Sequence, residues 1–342
     1  MLGTTKTVDD WGVSGNRMRF VIYGAGGIGG TIGARLFQHG HDVMLIARGP
    51  HLEAIKEHGL RFVSATIDER FPIPAVGHPR EANLDVGDVV ILCMKSQHTE
   101  SALTDLIESA SSKTPVVCCQ NGVANERMAL RRFANVYGMV VLLPAEHLEP
   151  GEVVNFAEDS AGVLDAGRYP NSVDATIHEV TDVLNTSGFS SLPDPDVMRQ
   201  KYAKLLNNLN NAVHAACGEG SADIARQLRN EALACYEAAG IDCASREETL
   251  DRRHGIQGTA VPGFQRNGGS SMQSVMRGTG DIEADYLNGE IVQLGRLHGV
   301  ETPANAVVQQ VGNRMARDRL EVGTYRLDEL ESLIRNELRE NG

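Results

Sequence analysis

The chain has 342 residues, 42% of them hydrophobic and 23% charged; it is long for a single core and suits a soluble protein of two domains. Its formal net charge of −13 argues against nucleic acid or an anionic membrane as the main partner, although a few local cations can still dominate a cleft and gather an anionic substrate. Cys93, Cys118, Cys119, Cys217, Cys235 and Cys243 show no CxxC pair and no metal-ligand spacing; several lie in apolar runs, which suits a reducing cytoplasm and no bound metal.

Residues 1–17 are polar, carry Asp9 and Asp10 and lack the apolar centre of a signal peptide, so they read as an extension ahead of the fold. No apolar run reaches the length of a membrane span. Residues 19–23 form a short apolar run, a buried strand, which breaks into Gly24-Ala25-Gly26-Gly27-Ile28-Gly29. A helix follows, with Ile28, Ile32, Leu36 and Phe37 on one stripe and Gly40 to stop it. Residues 41–47 are a second strand, ending at Arg48. In this βαβ setting a GxGxxG becomes informative. Gly24 permits the tight turn, Gly26 lets a pyrophosphate approach the backbone, and Gly29 allows close helix–strand packing. The free N–H groups of the first helical turn then face the phosphates. An acid at the end of the second strand would read a ribose 2′-hydroxyl; Arg48 instead suits the 2′-phosphate of NADP(H).

Further along, residues 51–56 predict a short helix, and residues 60–63 and 71–76 predict strands, a hairpin over the sheet. Strands at 88–94 and 115–119 end at Lys95 and at Gln120-Asn121-Gly122, with a helix at 99–109 between them. Strands at 136–143, 152–156 and 162–166 and a helix at 177–185 complete this half. Alternating apolar strands and helices indicate an α/β fold, an N-terminal Rossmann doubly wound parallel sheet, whose ligands bind beyond the strand carboxyl ends. The glycine turn, Arg48, Lys95 and Asn121 all fall there.

Pro193-Asp194-Pro195-Asp196 marks a boundary, giving a Rossmann domain over 18–193 and an all-helical C-terminal domain over 194–342. Helices are expected over 198–217, 222–240, 245–254, 282–298, 303–321 and 327–339, with a loop over 255–269. In the first of these, about 40° separates Asn208 from Lys204 and about 20° separates Asn211 from it, so one face carries a lysine and two amides. Such a face suits a 2-oxo acid, the lysine protonating a carbonyl and the amides holding a carboxylate; an Asn-rich solvated face is the competing reading. Asp281 reads as an N-cap for the 282–298 helix, with Glu283 and Tyr286 on one face.

These motifs, in this order, resemble the ketopantoate reductase family over nearly the whole chain, from Met18 to about Asp318. The matching pieces are the glycine fingerprint, Lys95 in Cys93-Met94-Lys95-Ser96, Asn121-Gly122, Tyr202 with Lys204 and Asn208, and Ser271 twelve residues before Glu283 in Glu283-Ala284-Asp285-Tyr286-Leu287-Asn288-Gly289. The resemblance implies reduction of 2-dehydropantoate to pantoate by NADPH on the route to pantothenate. Lys204 would be the general acid and Glu283 would bind the substrate hydroxyl and the cofactor side. Asn208 and Ser271 would hold substrate oxygens, and Lys95 and Asn121 would lie against the cofactor, Asn121 also near the substrate.

Two features depart from the family pattern. Ala212 stands where a second asparagine is usual, with Asn211 as a neighbouring substitute, and residues 138–148 differ from the usual small, polar run. A paralogue acting on another 2-oxo acid is therefore an alternative. So are an opine-type dehydrogenase using His214, and a non-catalytic NADP(H) sensor for which Lys204 and Glu283 would serve no purpose. The expected partners are a small 2-oxo acid and a second copy in a homodimer.

Overall fold

A computed structural model describes residues 18–157, 160–253, 258–266, 268–278 and 280–340; the expected N-terminal extension and part of the 255–269 loop lie outside them. The first half contains β1 (Arg19–Tyr23), α1 (Gly27–Gln38), β2 (Asp42–Ile46), α2 (Gly49–His58), β3 (Leu60–Val63), β4 (Asp68–Phe71), β5 (Ala75–Val76), β6 (Asp88–Leu92), α3 (Thr99–Ile107), β7 (Val116–Cys118), α4 (Asn125–Leu130), β8 (Val136–Met139), β9 (Ala145–Glu146), β10 (Glu152–Asn155), β11 (Ala166–Arg168) and α5 (Ala175–Thr186). The main sheet runs β11-β8-β7-β6-β1-β2-β5 and is parallel except for β11, which pairs antiparallel with β8. β1 is central: Val21 lies opposite Met44 of β2 and Val90 of β6. Its side chains alternate between two apolar layers, Phe20 and Ile22 packing with Ile32, Leu36 and Leu45, and Val21 with Leu103 and Val116. Burial on both faces explains the unbroken apolar run.

Two expected strands behave differently. Pro72 and Pro74 fall inside the 71–76 run, and proline cannot donate to a ladder. The chain therefore divides there: β4 forms a hairpin with β3, while β5 joins the main sheet beside β2. The strand expected at 152–156 leaves the main sheet and, as β10, pairs parallel with β3. The resulting sheet, β4-β3-β10-β9, packs over α1, where a Cβ on Gly30 would stand 2.6 Å from Val153 Cγ1.

The second half contains α6 (Val197–Asn208), α7 (Asn211–Cys217), α8 (Ala222–Ala239), α9 (Arg246–Arg253), α10 (Ser270–Met276), α11 (Asn288–His298), α12 (Pro303–Arg317) and α13 (Leu327–Glu340). The helix expected over 198–217 is two helices, broken at Leu209 and Asn210. Asparagines compete for the backbone bonds that would continue it. Leu209 offers its carbonyl to the buried Asn288 side-chain amide at 3.1 Å, an acceptor that a continuous helix would give to Val213. The helix expected from 282 also starts late, after a 3-10 turn at Ala284–Tyr286, so Asp281 caps nothing. α10 was not expected from the sequence.

The halves are pressed together. Val123, just past β7, belongs to the helical core with Leu205, Leu209, Val213 and Met315. Gly122, at φ +76°, brings its backbone so close to the Tyr286 carbonyl oxygen that a Cβ would stand 2.9 Å from it. Arg127 of α4 reaches the buried Glu290 of α11 at 2.5 Å.

Candidate active site

Gly24 leaves β1 at φ +102°, a left-handed backbone that favours glycine, and a Cβ there would meet Met94 N at 2.8 Å. A Cβ on Gly29 would press on the Gly24 carbonyl and lie 2.9 Å from Cys93 Cβ. Gly26 differs, because nothing stands within 4 Å of the place its Cβ would take. It caps α1 with no side-chain bond, and the first-turn N–H groups of Gly27, Ile28 and Gly29, which have no acceptor one turn back in the helix, follow this open, bare-backbone turn. That cradle, flanked by the buried Ala25, fits the pyrophosphate of a dinucleotide. His51 braces it. Its Nδ1 accepts from Gly151 N–H at 2.8 Å, which leaves Nε2–H to donate to the Ala25 carbonyl at 2.7 Å.

The order of the main sheet reverses at β1, between β2 and β6, the place where a doubly wound sheet opens a crevice. Arg48, after β2, is exposed, with Nη2 3.5 Å from His98 Nε2. Lys95, after β6, donates to Ser274 Oγ and, at 2.9 Å, to the Asp281 carbonyl, both from the helical half. Burial lowers the affinity of Lys95 for its proton, against the pull of Glu283 and Asp281 and with Arg277 adding to the effect. Asn121, after β7, accepts at Oδ1 from Lys204 Nζ at 2.5 Å.

From the helical half, Glu283 is buried and accepts at Oε1 from Ser96 N–H and Ser96 Oγ, each at 3.1 Å. Ser96 Oγ also accepts from Asn125 Nδ2 at 3.2 Å, and Asn125 Nδ2 donates to the Asn121 carbonyl at 3.0 Å. Glu283, Ser96, Asn125, Asn121 and Lys204 thus form one linked polar set across the two halves. Asp281 adds a second crossing: Gln97 donates to it, and His98 Nε2 lies 2.7 Å from its Oδ2. Burial pushes the Asp281 acid up, but the His98 bond and the charges of Lys95, His98 and Arg48 outweigh it and hold the group below its ordinary value.

The expected Lys/Asn face is altered by the helix break. Asn208, still on α6, has its Oδ1 buried without a hydrogen-bond partner among the described residues. Asn211 opens α7 and turns toward the start of α10, its Oδ1 3.6 Å from where a Cβ on Gly269 would stand. Ser271 is buried in α10. Ala212 points into the helical core, its Cβ 3.2 Å from the place of a Cβ on Gly312. The divergent 138–148 stretch has a packing role: Ala145 and Glu146 form β9, and a Cβ on Gly27 would meet the Ala145 carbonyl carbon at 3.2 Å. His214 lies against Gly220 in the turn after α7.

Sequence reasoning passed over Ser96, Asn125, Ser274 and Asp281. Ser96 lies beside Lys95 in Cys93-Met94-Lys95-Ser96, a signal from which it could have been found. Asp281 reads from the sequence as a helix cap, and Asn125 and Ser274 carry no signal there, because only the tertiary approach of the two halves gives them partners.

A glycine turn at a sheet's reversal point, with an amine and a buried carboxylate from a helical half held at the ends of neighbouring strands, is the arrangement of a nucleotide-dependent oxidoreductase. The model described as Ketopantoate reductase PanE/ApbA matches residues 20–169, and that of its C-terminal region matches residues 196–315. The chain belongs to the ketopantoate reductase family, whose cofactor is NADPH. It is similar to the 2-dehydropantoate 2-reductase of Pyrococcus horikoshii, at 26% identity over 304 residues, 84% of this chain and 94% of that relative. Among solved structures it is similar to a ketopantoate reductase from Ralstonia eutropha JMP134, at 27% identity and TM-score 0.74 over 89% of this chain and 99% of that one. D-mandelate dehydrogenase, solved with NADH and anilino(oxo)acetate, shares the fold at 24% identity and TM-score 0.75, over 89% of this chain and 99% of that one. No helix among the described residues is long and apolar enough to cross a membrane.

Proposed function

We propose that the protein reduces 2-dehydropantoate to pantoate with NADPH, residues 18–193 binding the cofactor and residues 194–342 completing the site. The observation that supports this most is the 2.5 Å contact of Lys204 Nζ with Asn121 Oδ1, which holds an amine from the helical half at the carboxyl end of β7. When bound, the cofactor supplies a hydride to the C2 carbonyl carbon. Gly24, Ala25, Gly26, Gly27, Ile28 and Gly29 present the phosphate cradle, and Arg48 takes the 2′-phosphate. Lys204 passes a proton to the carbonyl oxygen as it gains electrons, leaving a hydroxyl, and regains its proton from solvent. Asn121 Oδ1 orients that ammonium before transfer. Glu283, held by Ser96, accepts a hydrogen bond from the substrate hydroxyl. Asn208 and Asn211, donating through their amide N–H groups, and Ser271, donating through its hydroxyl, bind the remaining substrate oxygens, those of the carboxylate. Closing the two halves over the site keeps water from the reacting atoms.

NADPH oxidation measured across a set of 2-oxo acids tests this reading. The highest kcat/KM is expected for 2-dehydropantoate; a larger value for another 2-oxo acid would assign the enzyme to that substrate instead. The opine-type alternative would call on His214, which packs against Gly220 in the turn after α7, whereas the match to the ketopantoate reductase family supports the reductase reading.

A further inference from the structure

A lysine one turn before Lys204 also crosses between the two halves. Lys201 Nζ lies 3.2 Å from the Cys118 carbonyl, 3.0 Å from that of Gln120 and 3.3 Å from that of Met139. It also lies 2.7 Å from Glu126 Oε1, with side-chain exposures of 2% and 0% for the two partners. Neither carboxylate oxygen of Glu126 has a hydrogen-bond partner among the described residues, so this ammonium is its close counter-charge. Two charges taken this far from water are costly and seldom the best way to stabilise a core, since apolar residues of like volume often do as well or better. What the pair does offer is placement. Lys201 grips the main chain at Gln120, the residue before Asn121, and Lys204, on the same helix, meets the Asn121 side chain.

We propose that Lys201, with Glu126, is a positioning pair for the reaction: it fixes the end of β7 against α6 and so sets the Lys204–Asn121 contact. This rests on the reading of Lys204 as general acid. The two residues touch neither cofactor nor substrate; they act through Lys204. Removing the pair from a folded enzyme should therefore cost turnover only while Lys204 is present.

The test is a cycle between the pair and the acid, run on the full chain: Lys201→Met with Glu126→Leu, Lys204→Ala, and all three together. Thermal melts check folding, and fluorescence titration gives the NADPH Kd. The paired substitution is expected to lower kcat at least tenfold, with Kd and the substrate KM within twofold, and to be silent in the Lys204→Ala background, because effects routed through one group do not add. An equal loss in both backgrounds would mean a purely structural role, and kcat within twofold in a folded paired variant would remove the role altogether; either result overturns the proposal. Should the paired variant not fold, Glu126→Gln, which keeps the shape and one acceptor for the ammonium, is read against the same criteria. A Lys204→Ala loss below tenfold would instead overturn the general-acid reading, and this proposal with it, whereas a large Lys204→Ala loss beside an unaffected paired variant condemns the positioning role alone.

Discussion

Lys204 and Asn121 come from different halves of the chain and meet at 2.5 Å, amine to amide oxygen. Replacing Lys204 with alanine should lower kcat about 10²- to 10⁴-fold, the usual contribution of a positioned proton donor. Asn121→Ala keeps the amine and loses its guide, so a smaller fall is expected. Steady-state rates with NADPH and 2-dehydropantoate decide the matter, and a loss under tenfold in Lys204→Ala would contradict the assigned role.

Gly26 and Gly29 should respond differently to the same added methyl. Gly29→Ala collides with the Gly24 carbonyl and with Cys93, so it should lower Tm and damage cofactor binding together. Gly26→Ala meets nothing in the protein; it should leave Tm unchanged while raising the NADPH Kd tenfold or more. Unaltered NADPH binding in Gly26→Ala would mean that the phosphates do not lie over that residue.

Arg48 stands at the end of β2, exposed, with its Nη2 3.5 Å from His98 Nε2. Charge-assisted bonds to a phosphate are worth roughly 1.5–3 kcal/mol, or about 10- to 150-fold in affinity. Arg48→Ala should lose that much toward NADPH and little toward NADH. Comparing kcat/KM for the two cofactors gives the answer, an unchanged ratio removing Arg48 from the phosphate site.

The half-buried ring of His147 lies 4.0 Å from that of His51. Burial, with the neighbouring His51 adding to it, pushes His147 from the ordinary 6.5 down to about 4. Between those two values the unfolded chain binds a proton that the folded protein refuses, so stability falls as pH drops through that window and changes no further from this group below it. The loss amounts to about 3 kcal/mol across the window. Tm followed from neutral pH downward should show it, and His147→Gln should flatten the slope.

Ala212 sits in the helical core against Gly312. Restoring the asparagine usual at that position should overpack the site and cost about 1–3 kcal/mol, with no gain in 2-dehydropantoate turnover. Chemical denaturation and a rate measurement on Ala212→Asn test both parts; a faster enzyme would show that the amide can reach the cleft after all.

The βαβ unit and the strand-end residues were legible because apolar runs and glycines act locally. The course of β10 was not, since its apolar pattern fits either sheet and only the hairpin of β3 and β4 offers the edge it takes. The Lys204 face was half legible: Asn208 falls on α6 as the helical period requires, whereas Asn211 and Ala212 lie beyond a break sustained by Asn288, eighty positions or so away on another helix. Spacing along a chain measures angle only while the helix continues. The Asp281 and Ser274 contacts depend wholly on how the halves meet.

That meeting bears on how tightly a nucleotide is held. Lys95 gives two of its three hydrogens to Ser274 and the Asp281 carbonyl, and His98 faces the Asp281 carboxylate. An arriving dinucleotide that engages either side chain does so in exchange for bonds already made. Its measured affinity is then a difference between two sets of partners, and a variant that weakens the protein's own set, such as Asp281→Ala, which keeps the carbonyl used by Lys95 but releases Gln97 and His98, would grip the cofactor more firmly through His98 for having less to give up.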